Sequence, residues 1–165
     1  MSADGESTRR VRPARPPDTE AVVALCREMM ESHAALDPRF RPAASWIPAY
    51  REDFRRRLQD RDHQVVVCEE EGKVVGYAAV SLRMHPPVLE PRLVGYVTDI
   101  CVAPAARRRG VGRALVDALR EWCRSRGLRV ILLRAACLNQ TSQAFWRRMG
   151  WQDYMTEMWF ESPGE

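Results

Sequence analysis

The sequence predicts a single α/β (α+β) domain built on a mixed sheet, and three observations carry that reading. A β-hairpin lies near the middle, a strand–helix–strand unit follows it, and two helical segments precede them both. A hairpin pairs its strands antiparallel, whereas a strand–helix–strand unit spanning residues 93–135 joins parallel strands through a right-handed crossover. Both patterns in one chain require a mixed sheet, with helices on its two faces. The 165 residues suit one domain with one sizeable core.

The elements follow in order. Residues 1–10 are polar and read as a disordered tail, leaving 11–165 as the domain. Residues 11–15 read as a first strand. Pro16-Pro17-Asp18 then opens a helix, with Asp18 as its N-cap. Val22, Leu25, Cys26, Met29 and Met30 repeat at helical spacing, and the segment ends near Asp37-Pro38. A second helix covers 49–58, carrying Tyr50, Phe54 and Leu58. The hairpin strands are 64–69 and 74–83, joined at Glu71-Gly72. Three prolines make 84–92 a loop. Residues 93–102 return to strand and stop before Pro104. The helix at 110–126 is the clearest, with Val111, Ala114, Leu115, Ala118, Leu119, Trp122 and Cys123 on one face and Gly127 just past its end. A strand at 129–135, a short helix ending at Gly150 and a final strand at 154–160 complete the reading.

Composition excludes several classes. No stretch approaches the ~20 apolar residues of a membrane span, and the first ten residues have no apolar signal-peptide core. A cytoplasmic protein without a membrane partner is expected. Five cysteines, odd in number and not closely spaced, support neither a disulfide framework nor a metal site; each reads as a small buried hydrophobe. The net charge is +4 and Lys73 is the only lysine, so nearly all cations are arginines suited to phosphate or carboxylate. They are dispersed among acids except at Arg107-Arg108-Arg109, so no nucleic-acid surface is expected.

That exception carries the chemistry. Arg107, Arg108, Arg109, Gly110, Val111, Gly112, Arg113 and Ala114 lie between a strand end and the start of the clearest helix. A helix N-terminus offers unpaired N–H groups and a positive dipole end, and glycines admit a phosphate close to the backbone. Physically this is a pyrophosphate cradle. It lacks the Lys and hydroxyl of a P-loop, and Leu115 stands where a Rossmann loop needs its third glycine.

The run from Tyr96 to Gly112 resembles motif A of the GNAT acetyltransferase superfamily, with Arg107, Gly110 and Gly112 at the motif positions. Asn139, Ser142, Phe145, Trp146, Gly150 and Trp151 resemble its motif B, with Ser142, Trp146 and Trp151 replacing the family's Ala, Tyr and Phe. The resemblance covers about 11–160. It implies a mostly antiparallel twisted sheet with a splayed strand pair, the gap opening near Val102 and Ala135. It implies acetyl-CoA as co-substrate and no metal. The pantetheine arm would lie on Ile100, Cys101 and Val102, and the pyrophosphate on residues 107–114. Asn139, Ser142, Phe145 and Trp146 would flank the arm.

The implied activity is N-acetyl transfer to a primary amine, of a small molecule or a protein, by direct attack in a ternary complex. Asp99 is the first candidate for general base, directly or through a water. The family's thiolate-protonating Tyr is Trp146 here, which has no ionisable proton to give, leaving solvent, Tyr154 or Tyr96 for that role. The same substitution supports an alternative, a catalytically weak acyl-CoA-binding module. Residues 36–46 and 84–92 border the implied acceptor side, where Phe40 and Trp46 either line an amine site or belong to the core. A homodimer is left open.

Overall fold

The hairpin forms where its turn residues place it. In the computed structural model, which describes residues 9–162, Glu71 and Gly72 both take positive φ and join β2 (His63–Glu70) to β3 (Lys73–Met84). The expected tail falls largely on residues 1–8, which lie outside the described ones. Arg9 and Arg10 are placed: the Arg9 side chain bonds Glu70 at 2.8 Å, and Arg10 opens β1 (Arg10–Pro13). Strand β4 is Leu93–Val102, as expected from sequence, and β5 is Ile131–Leu133. The sheet order is β1-β2-β3-β4-β5, antiparallel except for the parallel β4–β5 pair.

The chain divides into two units, one up to Arg134 and one from Ala135. The first holds the whole sheet, with α1 (Thr19–Leu36) and α2 (Trp46–Gln59) on one face and α3 (Val111–Ser125) on the other. Val22, Leu25, Cys26 and Phe54 of α1 and α2 bury against Val65, Val67, Tyr77, Ala79 and Cys101 of the sheet. Helix α2 starts three residues earlier than expected. Pro48 falls in its first turn, where a missing N–H costs no helical hydrogen bond. Asp18 stands at the N-cap of α1, but its carboxylate does not cap that helix. It accepts two hydrogen bonds from Arg12, at 2.8 and 2.9 Å, and one from the Arg15 N–H at 2.7 Å. The Arg12 guanidinium holds the Asp18 carboxyl below its ordinary value, despite the opposing effect of burial.

The second unit contains α4 (Gln140–Arg148). Asn139 caps it, its side-chain oxygen accepting from the Ser142 N–H at 3.0 Å. Trp146 is buried and meets Phe145 and Trp151 edge-on, with ring centroids 5.1 and 5.0 Å away. Two expectations are corrected here. No strand forms over 154–160: Tyr154, Met155, Met158, Trp159 and Phe160 are exposed and make no ladder with the sheet. Such residues favour a pleated surface only when a neighbouring strand completes it. Cys137 is exposed, whereas the other four cysteines are buried free thiols.

Candidate active site

Helix α3 sets the geometry of the first half of the site. Its apolar face lies close on the sheet because two strand glycines leave room. A Cβ on Gly95 would stand 2.7 Å from Cys123 Sγ, and one on Gly76 would meet Cys101 O at 3.0 Å and the Leu115 and Val111 side chains at 3.2 Å. Val111, Leu115, Leu119 and Cys123 are fully buried as a result. The N-terminus of α3 is thereby fixed at the end of β4.

The connection from β4 to α3 is tightly wound. Pro104–Ala106 forms a 3-10 turn, Arg107 donates from Nε to Val102 O at 2.9 Å, and Arg108 and Gly110 take positive φ of 63° and 87°. Gly110 is the N-cap residue and has no capping side chain; the first helical bond runs from Ala114 N–H to Gly110 O at 3.1 Å. The N–H groups of Val111, Gly112 and Arg113 precede that bond, so they have no partner within the helix. The sequence-derived cradle therefore has the backbone of an anion site, flanked by Arg107, Arg108, Arg109 and Arg113.

Two residues join it that sequence reasoning missed. Glu70, buried at the end of β2, bonds Arg9 at 2.8 Å and faces Arg109 at 3.4 Å. Arg9 is thereby brought to the cradle: its Nη1 lies 3.3 Å from where a Cβ on Gly110 would stand. One carboxylate anchors two cations beside the helix N-terminus.

Strand β4 shapes the second half. Its parallel pairing with β5 covers only Gly95–Ile131, Tyr96–Leu132 and Val97–Leu133. Beyond Val97 the ladder stops, so the edge of residues 98–102 facing β5 is open among the described residues. At the same point β4 bulges. Val97 pairs with Val80 and Asp99 with Ala79, leaving Thr98 as the extra residue. Paired residues share a face, and Val80 and Ala79 are neighbours on opposite faces. The bulge therefore turns Asp99 to the face opposite Val97, although the two are only two residues apart.

Asp99 and Cys101 consequently point toward α1 and α2, while alternation sets Ile100 and Val102 on the α3 face. Cys101 Sγ donates to Leu25 O at 3.2 Å, and burial pushes its thiol up to about 12. Asp99 binds Arg57 Nη1 at 2.7 Å, and Arg57 in turn reaches Asp53 at 2.6 Å. Burial alone would lower the Arg57 guanidinium, but Asp99 and Asp53 outweigh it and hold Arg57 firmly protonated. This ion pair, joining residues 42 apart, was the second feature not read from sequence.

Asp99 lines a pocket of about 350 Å³ with Cys26, Met29, Met30, Arg41, Pro42, Ala43, Trp46 and Tyr50. Trp46 stands on the wall of this cavity and also packs against the core. Phe40 instead stacks on His33, and residues 84–92 do not line the pocket. The Tyr50 hydroxyl bonds the Tyr77 hydroxyl at 3.1 Å. Burial first, and then the charge of Asp99, push both phenols above their ordinary value, so both stay neutral. Burial likewise raises the Cys26 thiol. The pocket thus offers a carboxylate but no thiolate or phenolate.

Of the remaining expected residues, Asn139, Ser142, Phe145, Trp146 and Tyr154 belong to the second unit. Asn139 is engaged in capping, Trp146 is packed among aromatics, and Tyr154 is 63% exposed. Among the described residues, no group of three His, Cys, Asp or Glu could hold a metal, and no helix is long and apolar enough to cross a membrane.

The sequence pattern of the Acetyltransferase (GNAT) family matches residues 26–151, across both the cradle and α4. The chain belongs to the GNAT family. It is 31% identical over 117 residues to an aminoglycoside N(6')-acetyltransferase type 1 of Stenotrophomonas maltophilia, covering 69% of this chain and 76% of the other. It is 30% identical over 158 residues to a mycothiol acetyltransferase of Amycolatopsis mediterranei, covering 94% of this chain. The chain spans about half the length of that relative, 49%, and of an uncharacterized N-acetyltransferase from Methanocaldococcus jannaschii, 53%. The aminoglycoside N-acetyltransferase AAC(6')-Iy, solved in complex with CoA, has the same GNAT fold: the TM-score is 0.78 at 20% identity, over 98% of this chain and 99% of that one.

Proposed function

We propose that this GNAT protein transfers an acetyl group from acetyl-CoA to a primary amine, by direct attack in a ternary complex. The observation that carries the proposal is the cradle. An uncapped, left-handed Gly110 opens a helix beside four arginines, at the end of a strand whose edge is open from residue 98. Acetyl-CoA is the co-substrate that such a site fits, and the CoA complex of the structural neighbour supports the choice. Its pyrophosphate lies on Arg107 to Ala114, and its pantetheine arm follows Ile100, Cys101 and Val102. Asn139, Ser142, Phe145 and Trp146 are assigned to the arm by the family motif. Residues 11–165 act as one acetyltransferase domain, as the family match running through Arg134 supports.

The amine loses its proton to Asp99, directly or through a water, and its nitrogen attacks the thioester carbonyl. A backbone N–H of β4 near Cys101 or Val102 stabilises the oxyanion, a contribution of roughly 3–4 kcal/mol. The CoA thiolate leaves and takes a proton from solvent or Tyr154. The raised thiols of Cys26 and Cys101 speak against a cysteine-bound acetyl intermediate. The test is calorimetric binding of acetyl-CoA together with CoA release over an amine panel. Binding without release would favour the alternative, an acyl-CoA-binding module.

Trp146 acts by packing. Trp146→Phe keeps most of the activity, whereas Trp146→Ala loses about 3 kcal/mol of stability in a thermal melt. A large rate loss in a well-folded Trp146→Phe protein would show that the indole N–H is needed. The protein is expected to work in the cytoplasm without nucleic acid or membrane, and equilibrium sedimentation decides whether it forms a homodimer.

A further inference from the structure

The pocket beside Asp99 has a lining that discriminates among amines. Cys26, Met29 and Met30 come from α1, Trp46 and Tyr50 from α2, and Pro42 and Ala43 from the segment between them. Trp46 and Tyr50 meet at 68° with centroids 6.0 Å apart, forming an aromatic corner. A ring packs well into such a corner edge-to-face, and flexible thioethers adapt to its other side.

Charge and hydrogen bonding narrow the choice. Asp99 is the only acid in the lining, and Arg57, which does not itself line the pocket, already holds it at 2.7 Å; Arg41 is the cation on the wall. An acceptor with several ammonium groups therefore finds one carboxylate, already paired, and one guanidinium. A hydroxyl-rich acceptor finds few partners either, because the Tyr50 hydroxyl donates its one proton to Tyr77 and has only its lone pairs left to offer. The volume of about 350 Å³ lies at the small end of the ~300–1,000 Å³ usual for ligand sites.

We infer that the acceptor is a primary monoamine with a compact aromatic or branched apolar body, its amino group at Asp99 and its body against Trp46, Tyr50, Met29 and Met30. This rests on the acetyl transfer proposed above. It distinguishes the protein from its aminoglycoside-acetylating relative, whose name specifies a polycationic amino sugar.

The experiment uses the full chain with acetyl-CoA and three acceptors: phenethylamine, kanamycin and a short peptide with a free N-terminus. The expected result is a kcat/KM for phenethylamine at least tenfold above the other two. Trp46→Ala should raise KM for phenethylamine tenfold or more with acetyl-CoA affinity unchanged, and Met30→Glu, a milder change to the fold, should act in the same direction. Arg41→Glu should narrow the margin over kanamycin. Kanamycin or the peptide as best acceptor, or an unchanged KM in both wall variants, overturns the inference while acetyl transfer stands. Should no acetyl-CoA bind and no CoA be released with any amine, the transferase reading itself falls. Calorimetry of phenethylamine alone then decides the pocket: binding that Trp46→Ala abolishes upholds its ligand class, and no binding overturns it.

Discussion

The cradle and the pocket beside Asp99 meet on β4 but are built in opposite ways. The cradle is one continuous stretch, residues 107–114, with Arg9 brought in by Glu70. It presents backbone N–H groups and guanidiniums, and what it requires is a conformation: a positive φ at Gly110 and an α3 that lies close on Gly76 and Gly95. The pocket is assembled from α1, α2, the segment between them and one β4 carboxylate, and what it requires is a set of side chains. A site made of backbone can be kept while its side chains drift. A site made of side chains can be changed while the backbone stays. One architecture can therefore hold its donor constant and vary its acceptor.

Mutations that separate the two halves sharpen this contrast. The largest effect is expected for Asp99→Asn: a fall in kcat of about 10²–10⁴, with acetyl-CoA affinity close to normal by calorimetry. Parallel losses in rate and acetyl-CoA affinity would show that the halves are not separable. Next comes Gly110→Glu, which adds a negative charge and a Cβ at φ 87°, against Arg9. Acetyl-CoA affinity should fall about 100-fold, equivalent to ~2.7 kcal/mol, while phenethylamine binding survives; an unchanged affinity in a folded variant would remove the cradle. Gly95→Ala pushes α3 off the sheet at Cys123 and should cost about 1–3 kcal/mol of stability by overpacking, read as a lowered Tm. Cys123→Ala should restore part of it, and absence of rescue would mean that the contact is not the cause. The smallest effect belongs to Arg9→Ala. A loss of a few-fold in acetyl-CoA affinity is expected, with a shallower salt dependence, because its charge is partly exposed and shared with Glu70.

The same contrast explains what could be read before the structure. Arg107 to Ala114 is legible because the chemistry is written in adjacent residues, and the Val111–Cys123 stripe fixes its helix. The limits of β4 matched because Pro104 and the proline-rich loop punctuate it. The Arg57–Asp99 pair was not legible: nothing local marks Arg57 among the arginines of α2, and the partners are 42 residues apart. Arg9 looked like tail because its role depends on Glu70, at the far end of another strand. The strand expected at 154–160 failed for a related reason. Its composition suits a sheet, but a strand exists only with a neighbour, and the sequence does not name one.

The single extra residue at Thr98 makes the pairing register of β4 itself a determinant of chemistry. In a regular strand the direction of a side chain is a matter of odd or even position, and any two residues two apart agree. Thr98 breaks that parity once, between Val97, which fills the α3 side, and Asp99, which reaches Arg57 and, in the reaction proposed above, the amine. Were Thr98 taken into plain alternation instead, every functional side chain would still be present in the sequence and the carboxylate would face the α3 side; deleting Thr98 would keep Val97 and the carboxylate on opposite faces, as neighbours in a regular strand. A misplacement of this kind is invisible to a comparison of residue types and visible only in the pairing register.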